Sequence, residues 1–371
     1  MKKNGFYFHI FLFIIWLSSY PTTFLFAQTA NADTIRYHSG FTGIGPKVYN
    51  LPAPQSKQEI LAKGYEIKQV EAPKIDSLLD KQQFFLQLKE LFYAPVGPAS
   101  SLKSEQDLQR IINGHLFSGK LGEAAGAQNS LAIMMVSKDN YEKATSLFEE
   151  ALKGKQATND QLSELTILQN LALYKQYLGK NVQAINYFEQ SLAIAQKLKD
   201  KRAQAQALVG ISLEMARQQH YEEAERTIIR KAIPLFKSAH DVAGHIGAFK
   251  SLATIYEMQQ KYAQASWFYL QAKKIALPGQ VNSGEMAYIF YNLAHIKYLI
   301  GDFKLAILDY KSAESIARKN NLIPLQLAIQ DVLGEIYNQT GDYTAAVLAL
   351  NEYNNLKNKI LESQNDQHTG I

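Results

Sequence analysis

The feature that most limits what this chain can fold into is a pattern that returns six times at nearly constant spacing. An alanine recurs at Ala144, Ala184, Ala224, Ala265, Ala306 and Ala346, in steps of 40 or 41 residues. Three residues before it stand Tyr141, Asn181, Tyr221, Tyr262, Phe303 and Tyr343; four after it stand Phe148, Phe188, Ile228, Tyr269, Tyr310 and Leu350. Thirteen and twelve before it run the pairs Leu131-Ala132, Leu171-Ala172, Ile211-Ser212, Leu252-Ala253, Leu293-Ala294 and Leu333-Gly334. Five before it, three units carry glycine, at Gly179, Gly301 and Gly341. Small residues in two consecutive helices let them approach closely, the larger apolar neighbours fill the seam, and glycine takes the left-handed turn between them. One such hairpin cannot bury its face alone, whereas a stack makes a continuous core. The pattern therefore predicts an all-α solenoid of stacked antiparallel helix hairpins over residues 125–360.

These marks resemble the tetratricopeptide repeat family, whose units carry a leading aromatic, a Leu-small pair and a later Ala-x3-Phe. The resemblance implies a right-handed superhelix. The family's basic period is about 34 residues, so each unit here is about six residues longer, as in the long-repeat variety of bacterial regulators. Two departures stand out. The leading Trp is missing, with Phe290 its nearest equivalent, and Pro234 is expected to end or kink the second helix of the third unit.

Upstream of the repeats the chain changes character. Lys2 and Lys3 precede an apolar stretch from about Phe6 to Leu17, and Ala27 or Ala32 offers a small-residue cleavage site. This is the layout of a secretory signal. The apolar run is about a dozen residues, against the roughly 20 needed to span a bilayer. Cleavage after Ala27 removes only two lysines and takes the net charge from +5 to +3. The expected location is outside the cytoplasm, in a bacterial periplasm or cell envelope. The absence of cysteine suits an oxidising compartment. Residues 28–72, with Pro46, Pro52 and Pro54, read as a largely irregular linker. Gly40, Gly43, Gly45 and Lys47 do not have phosphate-loop spacing. Residues 73–122 read as a helical cap: Ile75, Leu78, Leu79, Phe84, Phe85, Leu88 and Leu91 recur at helical spacing, and a break at 95–101 precedes a helix with Leu108, Ile111 and Ile112. Residues 361–371 read as a polar tail.

The residues offer no catalytic constellation. Without cysteine there is no thiolate nucleophile, thiolate-held zinc or iron–sulfur cluster. None of the eight histidines forms an H-x3-H pair and no G-x-S-x-G occurs. His240 and His245 flank an inter-repeat loop. No cofactor, metal or enzymatic activity is expected. The small positive charge is spread out, which disfavours nucleic acid as a partner, and no membrane insertion is expected after signal cleavage. Arg226, Arg230, Lys231 and Lys237 are balanced by Glu222, Glu223 and Glu225 and read as a solvated face.

What the resemblance implies is a protein or peptide partner held in a concave groove lined by the first helix of each unit. Groove positions map onto Asn170, Tyr177, Arg217, Lys250, Tyr288, Tyr291, Asn292, His295, Tyr298, Asp331 and Glu335. Tyr288, Tyr291, His295 and Tyr298 share one helical face, which serves either recognition or packing between neighbouring first helices. Asn170 and Asn292 occupy the position where peptide-binding relatives contact the ligand backbone. The carboxylate clamp of chaperone-binding members is absent: Lys250 is followed by Thr254, Asn292, Ala328 and Val332. The leading expectation is thus an exported, non-catalytic scaffold in envelope assembly or signalling. The alternatives are a sensor related to the repeat regions of membrane histidine kinases, acting through a separate membrane partner, and a glycan or cell-wall binder.

Overall fold

The computed structural model describes residues 56–71, 75–91, 104–276 and 283–369. The expected export signal and residues 28–55 lie outside the described residues. Every regular element described is helical. Three helices precede the repeats: α1 (Lys57–Glu71), α2 (Ile75–Leu91) and α3 (Glu105–Phe117). Six hairpins follow. They pair α4 (Leu121–Ser137) with α5 (Tyr141–Ala157), α6 (Gln161–Tyr177) with α7 (Asn181–Lys197), and α8 (Lys201–Arg217) with α9 (Tyr221–Thr227, Ile228–Ala232 and Ile233–Ser238). Then come α10 (Val242–Met258) with α11 (Tyr262–Ile275), α12 (Ser283–Ile300) with α13 (Phe303–Lys319), and α14 (Ile323–Gln339) with α15 (Tyr343–Thr369).

The period has a direct structural origin. In the first two hairpins both helices have 17 residues, and three-residue turns separate them. The added length over a basic unit is therefore in the helices. All six recurrent alanines are fully buried, which is what close approach of the two helices of a hairpin requires.

Each turn inside a hairpin places one residue in the left-handed region: Asp139, Gly179, Gln219, Gln260, Gly301 and Gly341. The register of these six is the register of the alanines. The same hydrogen bonds close each turn, for instance Gly179 N–H to Gln176 C=O and Lys180 N–H to Lys175 C=O, the Schellman arrangement. Glycine takes this conformation without a Cβ clash; other residues pay about 1–2 kcal/mol. Gly301→Ala, at φ +90°, is expected to lower stability by about 1 kcal/mol, read as the shift in urea midpoint. Three of the turns between hairpins are capped by Asp160, Asp200 and Asp241, whose side chains accept from Ser163, Ala203 and Gly244 N–H.

Pro234 does not end α9. The missing N–H is absorbed by a π-helical turn at Ile228–Ala232, after which the helix runs on to Ser238. The turn inserts one residue, and this accounts for the 41-residue step from Ala224 to Ala265.

Three expectations need correction. Part of the expected linker, Lys57–Glu71, is helix α1, which packs on α15 so closely that a Cβ on Gly64 would meet Leu350 at 2.6 Å. The expected polar tail is the last part of α15, helical to Thr369. Finally, the helices of 73–122 do not form a hairpin cap. Helix α3 caps α4, with a capping box at Ser104 and Asp107, but α2 leaves it and packs on α6 and α14.

Candidate partner-binding groove

Helices α6 and α14 are first helices of the second and sixth hairpins. With α8, α10 and α12 they form a row of five. At 8–10 Å between packed helices, a flat row would span roughly 30–40 Å. Helix α2 is about 26 Å long at 1.5 Å per residue. One helix that reaches both ends of the row is a chord, so the row curves around it. The face made by the first helices is concave, and α2 lies across it.

The seat of α2 is built from apolar and aromatic contacts. Leu79 and Phe84 are buried. Near the N-terminal end of α2, Ile75 and Leu78 pack against a cluster of Leu327, Tyr353, Leu356 and Ile360. Leu79 joins the cluster that contains Tyr288, Leu325, Ala328 and Ile329. Towards its other end, Phe84 stacks on Tyr177, with ring centroids 5.1 Å apart, and lies 6.4 Å from Tyr174. Lys81 Nζ donates to Asp139 Oδ1 at 2.7 Å, and Tyr141 OH donates to the same carboxylate at 2.6 Å.

Most of the anticipated groove residues border this site. Tyr177 carries Phe84 and meets Tyr141 OH at 3.3 Å. Tyr291 and His295 stack nearly parallel at 6.3 Å, and Tyr298 follows His295 at 6.2 Å. Burial pushes the Tyr291 hydroxyl up to about 12, with Asp76 of α2 adding to it. Burial also holds the His295 imidazole below its usual value, against a smaller opposing pull from Asp76. Tyr298 OH donates to Glu335 Oε2 at 3.4 Å. Asn292 and Asp331 are half-buried. Arg217 pairs with Glu214, and Lys250 with Glu285 at 2.6 Å.

Two of the anticipated residues are not available to a ligand. Asn170 is fully buried and donates to Asn129 Oδ1 of α4 at 3.1 Å; it ties two first helices together. Tyr288 is 1% exposed and fills a seam inside the core cluster. For Tyr288 the packing role holds.

Between α2 and the middle of the row lies a cavity of about 320 Å³. Gln83 and Gln87 of α2 form one wall, and Gln169, Gln206, Arg217 and Lys250 face them. The floor is small: Ala207, Gly210, Gly244, Gly247 and Ser251.

Glu214 is a residue that sequence reading missed. Its side chain is fully buried beside this cavity, held by Gln176 Nε2 at 2.7 Å and by Arg217. Burial raises its carboxyl above the usual range, opposed by Arg217. The register carried the signal. Three residues after the paired Leu or Ile, the other repeats hold Met134, Tyr174, Ile255, Ile296 and Ile336. An acid at an otherwise apolar register position is a buried charge that must be paired.

Glu257, on the same helix as Lys250, is pushed up to about 7 by burial, with the Tyr269 hydroxyl beside it lowering it. Its unfolded value is near 4.5. The folded state thus holds a proton more tightly, and this contribution to stability is complete below about pH 4.5 and lost as pH rises through 7. Glu257→Gln is expected to be about 2 kcal/mol more stable than the parent at pH 8 and to show a flatter urea midpoint between pH 5 and 8.

Among the described residues no helix is long and apolar enough to cross a membrane, and no cluster of three His, Asp or Glu is placed to hold a metal. A family model described as "Tetratricopeptide repeat" matches residues 123–197 and 163–228, the first hairpins of the stack. Residues 123–228 are tetratricopeptide repeats.

Similar solved structures include aspartyl phosphate phosphatase F from Bacillus subtilis, at 15% identity and TM-score 0.50 over 79% of this chain and 74% of that one. A Rap protein complexed with competence and sporulation factor is 15% identical at TM-score 0.49, over 83% and 99%. BtubC from P. vanneervenii is 19% identical at TM-score 0.48, over 58% and 91%. At 15% identity and TM-score 0.50, the likeness to the phosphatase is one of fold. No curated protein matches the sequence.

Proposed function

We propose that this chain is an exported, non-catalytic tetratricopeptide repeat scaffold that holds a segment of a partner protein against the concave face of its first helices, in the bacterial cell envelope. The observation that carries the reading is that this face already holds a segment of polypeptide, α2, on aromatic and charged side chains from several repeats. Aromatic rings with polar tips supply large contact area at low entropic cost. Charges near the ends of the track, Lys81–Asp139 at one and Asp76 beside His295 at the other, favour one direction for the bound segment. Export is supported by the layout of residues 1–27.

The test is capture of a protein from envelope extract of the source organism by the mature chain, followed by titration with the identified, purified partner. Arg217→Ala/Tyr298→Ala alters the concave face. Trp267→Ala/Leu308→Ala alters second helices, where both residues are more than half exposed. The expected result is an affinity at least tenfold weaker for the first variant and unchanged for the second. The reverse pattern overturns the groove as the binding face.

A further inference from the structure

Helix α2 fits the groove incompletely. Gln82 Oε1 on α2 is buried with no hydrogen-bond partner. The same holds for Tyr288 OH, in the cluster that receives Leu79, and for His295 Nδ1 on the same groove helix. Buried polar atoms left unpaired weaken an interface. The cavity of about 320 Å³ lies under Gln83 and Gln87, where α2 stands away from α8 and α10, and an unfilled space forfeits packing contacts. Among the described side chains, α2 is held by Leu79 and Phe84, by Ile75, Leu78, Phe85 and Leu86 packed beside them, and by an ion pair whose aspartate is 58% exposed. Helix α2 is thus held with a void and the unpaired Gln82 oxygen at its centre, and with further unpaired polar atoms towards its N-terminal end.

We propose that α2 is an internal occupant of the groove, and that the partner is an amphipathic helix that takes the same track by displacing it. This rests on the groove reading above. The preferred helix keeps the spacing of Leu79 and Phe84, which seats it on the Leu325–Ile329 cluster and on Tyr177. It differs by carrying bulkier side chains in place of Gln83 and Gln87, to fill the cavity, and a hydrogen-bonding group towards His295. Tethering keeps α2 at high local concentration, so it competes with any free helix. A ligand with better complementarity overcomes that advantage.

The experiment uses the full chain and a fluorescein-labelled peptide of residues 75–91, followed by anisotropy. The parent is compared with Leu79→Asp/Phe84→Asp, which frees the track. The peptide is expected to bind the double variant at least tenfold more tightly than the parent, and a peptide carrying the same two aspartates is expected not to bind. Hydrogen exchange of the double variant is expected to lose protection in 75–91 and keep it in the repeats. A second variant, Lys81→Glu, sets two carboxylates against each other at a half-exposed contact and leaves the core alone. It is expected to raise peptide affinity about threefold, and it decides the matter if the double variant does not fold. Equal affinity for parent and variants, or no binding to a variant whose repeats remain protected, overturns the proposal. No partner protein enters this assay. A peptide indifferent to α2 alongside a partner captured through the groove refutes only this inference; the opposite pair of results refutes only the groove reading.

Discussion

Replacing Phe148 by alanine is expected to cost about 3–5 kcal/mol, lowering the thermal midpoint by about 10 °C. Phe148 is fully buried at the position four after the first alanine of the series, and its ring lies 5.4 Å from that of Tyr174. Tyr174 is also fully buried; its hydroxyl donates to the Tyr141 carbonyl at 2.6 Å and its ring faces Phe84. Removing Phe148 therefore opens a cavity at a seam that joins α5, α6 and α2. In a stack each unit is stabilised by its neighbours, so the loss should spread. Hydrogen exchange should rise in α4–α7 and in α2, more than in α12–α15. Leu308→Ala provides the contrast. Leu308 is also apolar and on a second helix, but it is 57% exposed, and its loss is expected to stay within about 0.5 kcal/mol.

The second large effect is expected at Gly210. A Cβ built there meets the Phe188 ring at 2.4–2.6 Å. Gly210 and Phe188 are both buried, and Phe188 packs with Ala172 and Ala184. Helices α7 and α8 approach across this point only because one of them has no side chain. Valine forces the ring aside, and the expected cost is about 3 kcal/mol, measured by urea unfolding. Phe188 also lines the central cavity, so the ring has one direction in which to move. Shortening it should then relieve the strain: Gly210→Val/Phe188→Leu is expected to be about 1 kcal/mol more stable than Gly210→Val alone, a non-additivity that marks direct contact.

The repeats were legible because their constraints are local and recur. A small residue where two helices touch, a large one beside it and a left-handed turn five residues earlier all depend on near neighbours in sequence. Six copies make the register unmistakable. Even the irregular third unit follows from one residue, although Pro234 alone does not reveal that a π-turn rather than a break accommodates it. Helix α1 was hidden because Gly64 and several lysines and glutamates dilute the apolar period of Ile60, Leu61 and Ile67. Helix α2 was visible as a helix. What covers its apolar face was not, because Leu79 and Phe84 have the same spacing whether they cap the first repeat or bridge the second and the sixth. The groove suffered from the same limit. Residues on one helical face share a direction, but Tyr288 is sealed inside a cluster that also receives Leu79, while Tyr298 three turns further on reaches Glu335. Which rings of a stripe are covered depends on segments distant in sequence.

The most direct test of α2 lying across the concave face is zero-length carbodiimide cross-linking of the full chain, followed by peptide mass spectrometry. Lys81 Nζ and Asp139 Oδ1, 58 residues apart in sequence, are 2.7 Å apart between α2 and the first turn. Lys138 Nζ and Glu105 Oε2, 2.8 Å apart between α3 and the first turn, form an internal control that does not involve α2. The expected result is an amide linking Lys81 to Asp139 along with the control link, lost on Leu79→Asp/Phe84→Asp while the control persists. A control link without any link from Lys81 to Asp139 in the parent protein contradicts the placement of α2, and with it the groove as a site already shaped around a helix.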